Sequence, residues 1–206
     1  MIQLYGLRLS NYYSLVKALL IEKGVEFEEV KAPPTQKEDN LSRTPMGRMP
    51  SIGVDGRYMS ESLAIAGYLD RLQPEPALLP SDPFAAGKVI ELVCHIKLDI
   101  ELVARRCLPE ALFGGKVSDE TKASTQADLG KGMAAVDRIF VGGPYAAGPE
   151  MTLADFYTFF SFGLSSLIAQ KMFDQDLLAT HPKIQEVMSR MSEHPSVKRV
   201  QAEQGA

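Results

Sequence analysis

Ser10 and the pair Glu61-Ser62 are of types that could do chemistry, and each lies at the start of an apolar helical run. Ile2-Gln3-Leu4-Tyr5 alternates as a strand and Gly6 opens a loop. Beyond Ser10-Asn11-Tyr12-Tyr13, Leu15, Val16, Leu19 and Leu20 fall on one helical face. Lys17, Glu22 and Lys23 fall elsewhere, and Gly24 sits where a C′ glycine ends a helix. The first amides of a helix have no internal partners and carry about half a positive charge, so a group held there is stabilised if it becomes negative. Ser10 is placed to face such a group; the competing account is that Ser10 and Asn11 only cap the helix. Ser60-Glu61-Ser62 leads into the run from Leu63 to Leu72, with a hydroxyl at its start and an acid in its first turn. Capping alone also explains that pair.

The elements that must position these residues follow in order. The run from Val25 to Val30 reads as a second strand, parallel to the first because a helix crosses between them. Residues Thr35 to Thr44 are polar and predict no more than a short, poorly packed helix or loop. Ser51 to Val54, Asp55-Gly56 and Arg57 to Ser60 predict a hairpin, and Pro50, which lacks an N–H, must sit at a strand start or an edge. The order is βαβαββα over the first 72 residues. Prolines 74, 76, 80 and 83 then make a stiff linker. Helices follow: one striped by Val89, Val93, Ile96, Ile100 and Val103 until Pro109 ends it, and one from Ser118-Asp119-Glu120 striped by Leu129, Met133, Val136 and Phe140. Thr152 and Asp155 form a structural capping box before a helix that is apolar nearly all round, and His181-Pro182 opens the last helix, to about Glu193. The expected division is residues 1–76, a linker at 77–83, and an all-α domain at 84–206.

Composition narrows the function classes. Hydrophobic content of 45% with 23% charged residues is ordinary for a globular chain of 206 residues. A net charge of −4, without a dense basic run, argues against nucleic acid as a partner. Cys94 and Cys107 suggest neither a disulfide framework nor a zinc site, so no metal is expected. No apolar run approaches the roughly 20 residues that span a bilayer; the expectation is no membrane and a cytoplasmic location.

The βαβαββα order resembles a thioredoxin-like domain. Set against a glutaredoxin, Ser10-Asn11-Tyr12-Tyr13 occupies the Cys-Pro-Tyr-Cys slot with both redox cysteines missing, which excludes exchange through a protein dithiol. Together with the proline-rich linker and an all-α domain carrying a Thr-x-x-Asp box, the layout resembles the soluble glutathione S-transferases over nearly the whole chain. The most specific parts are Pro45-Met46-Gly47-Arg48-Met49-Pro50, similar to the family's Asn-Pro-x-Gly-x-Val-Pro, and Glu61-Ser62-x-Ala64-Ile65, similar to its Glu-Ser-x-Ala-Ile.

The resemblance implies a fold, a thioredoxin-like α/β domain followed by an all-α helical domain, and a co-substrate, glutathione. It implies that Pro50 is cis, that the Met49 backbone pairs with the cysteinyl part, and that Ser62 takes the γ-glutamyl carboxylate while Glu61 takes the ammonium. Arg48 is implied near the glycyl carboxylate, with Gln36 and Lys37 as weaker candidates. Ser10 aligns with the serine of the Ser-type classes and would donate to the thiolate, with Asn11 or Tyr12 as alternatives. The segment lacks the Ser-Ser-Cys-x-Trp-Arg pattern of the maleylacetoacetate isomerase class. A small electrophile would meet Leu9, Tyr12, Arg105, Arg106 and Phe113, although the two arginines also fit a solvated helix end. The expected activity is alkyl or aryl transfer to the glutathione thiol by a homodimer. The alternatives are a glutathione-dependent isomerase, dehalogenase or disulfide-bond reductase, or a non-enzymatic interaction protein on the same fold.

Overall fold

The computed structural model describes residues 1–204. Alternation of apolar and polar residues in β1 (Ile2–Gly6) buries Ile2 and Leu4 and turns Gln3 and Tyr5 outward. β1 pairs in parallel with β2 (Phe27–Lys31) and antiparallel with β3 (Ser51–Val54), which pairs antiparallel with β4 (Arg57–Ser60), so the strand order is β2-β1-β3-β4. Asp55 and Gly56 connect β3 to β4 with φ of 50° and 75°, the two positive values that a two-residue hairpin of matching twist requires. α1 (Asn11–Glu22) and α3 (Ser62–Leu72) pack on each other and bury Leu15, Val16, Leu19, Leu20, Ile65 and Leu69. The weakly patterned stretch holds only the four-residue α2 (Glu38–Leu41).

Lys17 does not lie on a solvent face. It is 2% exposed, its Nζ donating to Glu29 Oε1 at 2.7 Å and to the Glu203 carboxylate. Glu29 comes from β2 and Glu203 from α10 (Pro195–Gln204), a helix the sequence reading did not foresee; it packs along α1 and buries Val197 and Val200. Lys23 is buried as well: its Nζ donates to Asp70 Oδ1 at 2.5 Å and to the Pro76 carbonyl at 2.6 Å, while the Leu78 amide donates to Asp70 at 3.0 Å. These bonds hold the proline-rich segment to the first compact unit, which comprises Met1–Leu78 with the described residues from Glu193. The last helix therefore belongs with the sheet.

The second unit spans Leu79–Ser192. Asp82 caps α4 (Pro83–His95) by accepting from the Ala85 amide at 2.8 Å. The helix then runs through a π stretch (Ile96–Glu101), α5 (Leu102–Ala104) and a 3-10 turn (Arg105–Cys107) into α6 (Leu108–Phe113). Pro109 does not end a helix; it occupies the first turn of α6, where its missing N–H is not required. α7 (Asp119–Ile139) presses against the π stretch at Gly132, where a Cβ would lie 2.4 Å from the Asp99 carbonyl oxygen. The buried axis is α8 (Leu153–Phe173), followed by α9 (Pro182–Ser192). Ahead of α8, Asp155 accepts from the Thr152 and Ala146 amides, each at 2.7 Å, and burial pushes its carboxyl up. Among the described residues no helix is long and apolar enough to cross a membrane.

Burial alone would raise the Glu29 carboxyl, but the Arg8, Lys17 and Tyr13 donors outweigh it and hold it at about 2, against an ordinary 4.5. A carboxyl depressed in the folded state stabilises above its unfolded value and loses that contribution as pH falls through the folded one. Glu29→Gln is expected to lower the unfolding free energy by about 2–3 kcal/mol near neutral pH, after allowance for partial exposure. The gap should close as pH falls from 4.5 to about 2. Urea unfolding at about pH 7 and about pH 3 checks this, and a gap independent of pH would refute the pairing.

Candidate functional site

The strand register gathers the site. Tyr5 pairs with Ser51 and Ser51 with Ser60. Three connections therefore meet at one end of the sheet: the loop from Leu7 to Ser10 after β1, Met49-Pro50 before β3, and Glu61-Ser62 after β4. The Met49–Pro50 peptide is cis, as the resemblance implied. Gly6, at φ 155°, lets these pieces touch: a Cβ there would lie 2.5 Å from the Tyr13 ring and 3.4 Å from the Met49 Cβ. Only glycine serves at that point.

Ser10 is the N-cap of α1 in extended backbone, its Oγ accepting from the Tyr13 amide at 3.4 Å. A hydroxyl that accepts in this way keeps its own proton to donate, so capping and donation to an anion are compatible roles. Asn11 and Tyr12 form the first turn beside it. Tyr13 is committed elsewhere: its hydroxyl donates to Glu29 Oε2 at 2.6 Å, and burial together with that bond pushes its pKa well up, which leaves it protonated.

Glu61 is not in the first turn of α3, as the sequence suggested, but is its N-cap, with φ 69° and ψ 115°. L-residues seldom adopt that backbone, and such strain is held by its surroundings. Glu61 is exposed there, and Ser62, 4% exposed, is the first helical residue. The helix amides and the Ser62 hydroxyl offer donors, and Glu61 offers a carboxylate, so one ligand end carrying both charges suits the pair.

The segment from Pro45 to Pro50 is built from its neighbours. The Thr35 amide donates to the Gly47 carbonyl at 3.1 Å, Gln36 Nε2 donates to the Met46 carbonyl at 3.2 Å, and Asn40 Nδ2 donates to the Thr35 carbonyl at 2.9 Å. Gln36 thus supports the loop, while Arg48 is exposed on it, Met49 is half-buried and Pro50 is buried. Lys37 precedes α2 and is exposed. The five residues proposed for a second substrate divide between the units. Leu9 (70% exposed) and Tyr12 belong to the first; Arg105, Arg106 and Phe113 (69% exposed) belong to the second. Arg105 Nε donates to the buried Glu101 at 2.7 Å and Arg106 donates to Asp128 at 2.8 Å. The sequence reading assigned no part to Arg8, within the loop, or to Ser14 and Glu29 beside it, and no motif marks them.

The model of the glutathione S-transferase N-terminal domain matches residues 4–77, and that of the C-terminal domain matches residues 111–204. A glutathione S-transferase of Pseudomonas putida is 38% identical over 206 residues, covering 100% of this chain and 94% of that protein. The chain belongs to the glutathione S-transferase family. A maleylacetoacetate isomerase of Pseudomonas aeruginosa is 28% identical, covering 76% of this chain and 72% of the other. Among solved structures, glutathione transferase F2 of Populus trichocarpa has a TM-score of 0.82 at 19% identity, covering 100% of this chain and 99% of that one, a likeness of fold. The N-terminal family model spans the whole sheet-end cluster, from Ser10 to Ser62, whereas Arg105 and Arg106 lie outside both models.

If φ 69° at Glu61 stores strain, removing the Cβ should relieve it. Glu61→Gly is expected to be about 1 kcal/mol more stable than Glu61→Ala in urea unfolding. Equal stability of the two would mean that the backbone there is unstrained.

Proposed function

We propose that this member of the family is a glutathione transferase that binds glutathione at the end of the sheet and holds its thiol as thiolate for attack on a small, largely apolar electrophile. The observation that carries this reading is the register that brings the Ser10 cap, the Met49–cis-Pro50 corner and Glu61-Ser62 together. In this reading the Met49 backbone pairs with the cysteinyl part like an added strand. Ser62 and its amide take the γ-glutamyl carboxylate, Glu61 takes the ammonium, and Arg48, with Gln36 as a lesser contributor, meets the glycyl carboxylate. Leu9 and Tyr12 flank the sulfur. The reading assigns the protein to the cytoplasm, where glutathione is kept reduced.

A free thiol titrates near about 8.5, so only a few per cent is thiolate at neutral pH. Lowering that value by about two units takes about 2.7 kcal/mol of preferential stabilisation of the anion. One charge-assisted hydrogen bond from Ser10, about 1.5–3 kcal/mol, together with the α1 amides is of that size. The thiol proton leaves to solvent. The sulfur lone pair forms the new C–S bond, and the displaced group departs with the electron pair of the bond that breaks. A second reading, a glutathione-dependent isomerase, is favoured by the likeness to the Pseudomonas aeruginosa isomerase and uses the same thiolate, which is regenerated.

Two variants separate binding from activation. Ser62→Ala should weaken glutathione binding about tenfold or more, because a charged end of the ligand loses its partner. Ser10→Ala should leave the Kd nearly unchanged while raising the pKa of the bound thiol and lowering kcat near neutral pH. Calorimetry and ultraviolet titration of bound thiolate measure these. Unchanged affinity in Ser62→Ala would refute the binding assignment, and a superimposable titration in Ser10→Ala would refute the donor.

We also propose a homodimer. Support comes from an open cleft of about 300 Å³ on the sheet unit, lined by Ile52, Val54, Arg57, Tyr58, Met59 and Tyr68, an apolar and aromatic surface suited to a second copy. Light scattering at micromolar protein should give twice the 22.6 kDa chain mass, and a monomeric mass would overturn the assignment.

A further inference from the structure

The loop that carries Ser10 is short, and its hydrogen bonds run to the far end of the chain. The Ser10 amide donates to the Leu7 carbonyl at 3.0 Å, closing a turn around Arg8 and Leu9. The Arg8 carbonyl, in the middle of that turn, accepts from Ser14 Oγ at 3.2 Å. Ser14 is buried in α1, and its oxygen accepts in turn from Gln204 Nε2, at 2.6 Å, the last described residue of α10. The Arg8 side chain is held as well. Its Nε and Nη2 grip the two Glu29 oxygens at 3.1 and 2.9 Å, and its Nη1 donates to the Glu203 carbonyl at 3.2 Å. A cleft of about 450 Å³ lined by Gly6, Leu7, Arg8, Leu9 and Gln204, among others, runs beside the loop, so packing alone does not fill the space there.

Ser14 has a single O–H, spent on the Arg8 carbonyl, and that hydroxyl is oriented because its lone pair faces the Gln204 amide. We propose that Ser14 and Gln204 are positioning residues that fix the Ser10 hydroxyl at the α1 N-terminus, so that α10 sets how strongly the thiolate is held. The proposal rests on the reading of Ser10 as thiolate donor. Without Gln204, the Ser14 hydroxyl is free to turn to other acceptors, and the Arg8 carbonyl loses the bond that fixes the turn. A hydrogen bond to an anion depends steeply on distance and angle, and misplacement by about 1 Å costs up to about a hundredfold in rate. The charged groups at this loop and its cleft, Arg8 itself and Glu29 and Lys31 from β2, together with Lys17 from α1 and Glu203 and Arg199 from α10, which pair around Glu29, are left unchanged by both substitutions.

The test combines Gln204→Ala, an exposed change that leaves the core intact, with Ser14→Ala and Ser10→Ala, singly and in pairs. Thiolate absorbance of bound glutathione is titrated and kcat and KM are measured on one electrophile. Gln204→Ala and Ser14→Ala should each lower kcat about three- to tenfold near neutral pH, with KM for glutathione within about twofold, and raise the bound-thiol pKa by about half to one unit. In the Ser10→Ala background both effects should vanish, because nothing remains to be positioned. If Ser10→Ala shifts the titration while Gln204→Ala and Ser14→Ala titrate like the parent, the positioning role is overturned and the Ser10 reading stands. If Ser10→Ala itself titrates like the parent, the donor reading fails and the positioning role fails with it. A loss confined to KM, or one that persists in the Ser10→Ala background, also overturns it.

Discussion

An ammonium group removed from water costs several kcal/mol unless opposite charge and hydrogen bonds meet it, and Lys17 imposes that requirement on the centre of the first unit. Glu29 from β2 and Glu203 from α10 satisfy it together. The demand fixes the rotation of α1 against the sheet and commits a distant helix to the same unit. Because the α1 N-terminus carries Ser10, the geometry of the site follows from where this charge is buried. Arg8 and Tyr13 complete the arrangement by donating to the same Glu29 carboxylate.

Backbone constraints then bring the rest of the site to that helix end. Gly6 lacks the Cβ that would strike Tyr13, the Met49–Pro50 bond is cis, and Glu61 is held at positive φ. All three lie at the same end of the sheet, where β1 ends, β3 begins and β4 ends. Unusual backbone gathers there, beside the N-termini of α1 and α3, while the strands behind remain regular. Side chains committed to structure stand beside those left exposed: Tyr13 is spent on Glu29, and Arg48 remains on the surface.

Much was legible from local pattern. The alternation at Ile2-Gln3-Leu4-Tyr5, the Asp55-Gly56 turn and the Thr152 and Asp155 box each follow from residues a few positions apart, which is the range over which dihedral preference and capping act. The resemblance carried by the segments from Pro45 to Pro50 and from Glu61 to Ile65 supplied the cis bond and the site pairs that pattern alone left as caps. Pro109 misled, because a proline breaks a helix only where an N–H is needed, and the 3-10 turn before it had already released that bond.

By itself, then, the sequence determined the order of elements in the first 72 residues, the two helix starts at Ser10 and Ser62, and the family, since these depend on short-range chemistry and matched segments. The tertiary structure decided the burial of Lys17 and Lys23, the return of α10 to the sheet unit, the strained backbone of Glu61 and the bond chain from Gln204 to the Ser10 loop. Those features join residues as many as 195 positions apart. A lone Lys or Gln in a sequence carries no mark of the partner that will desolvate it, because its position is set only when the core closes around it.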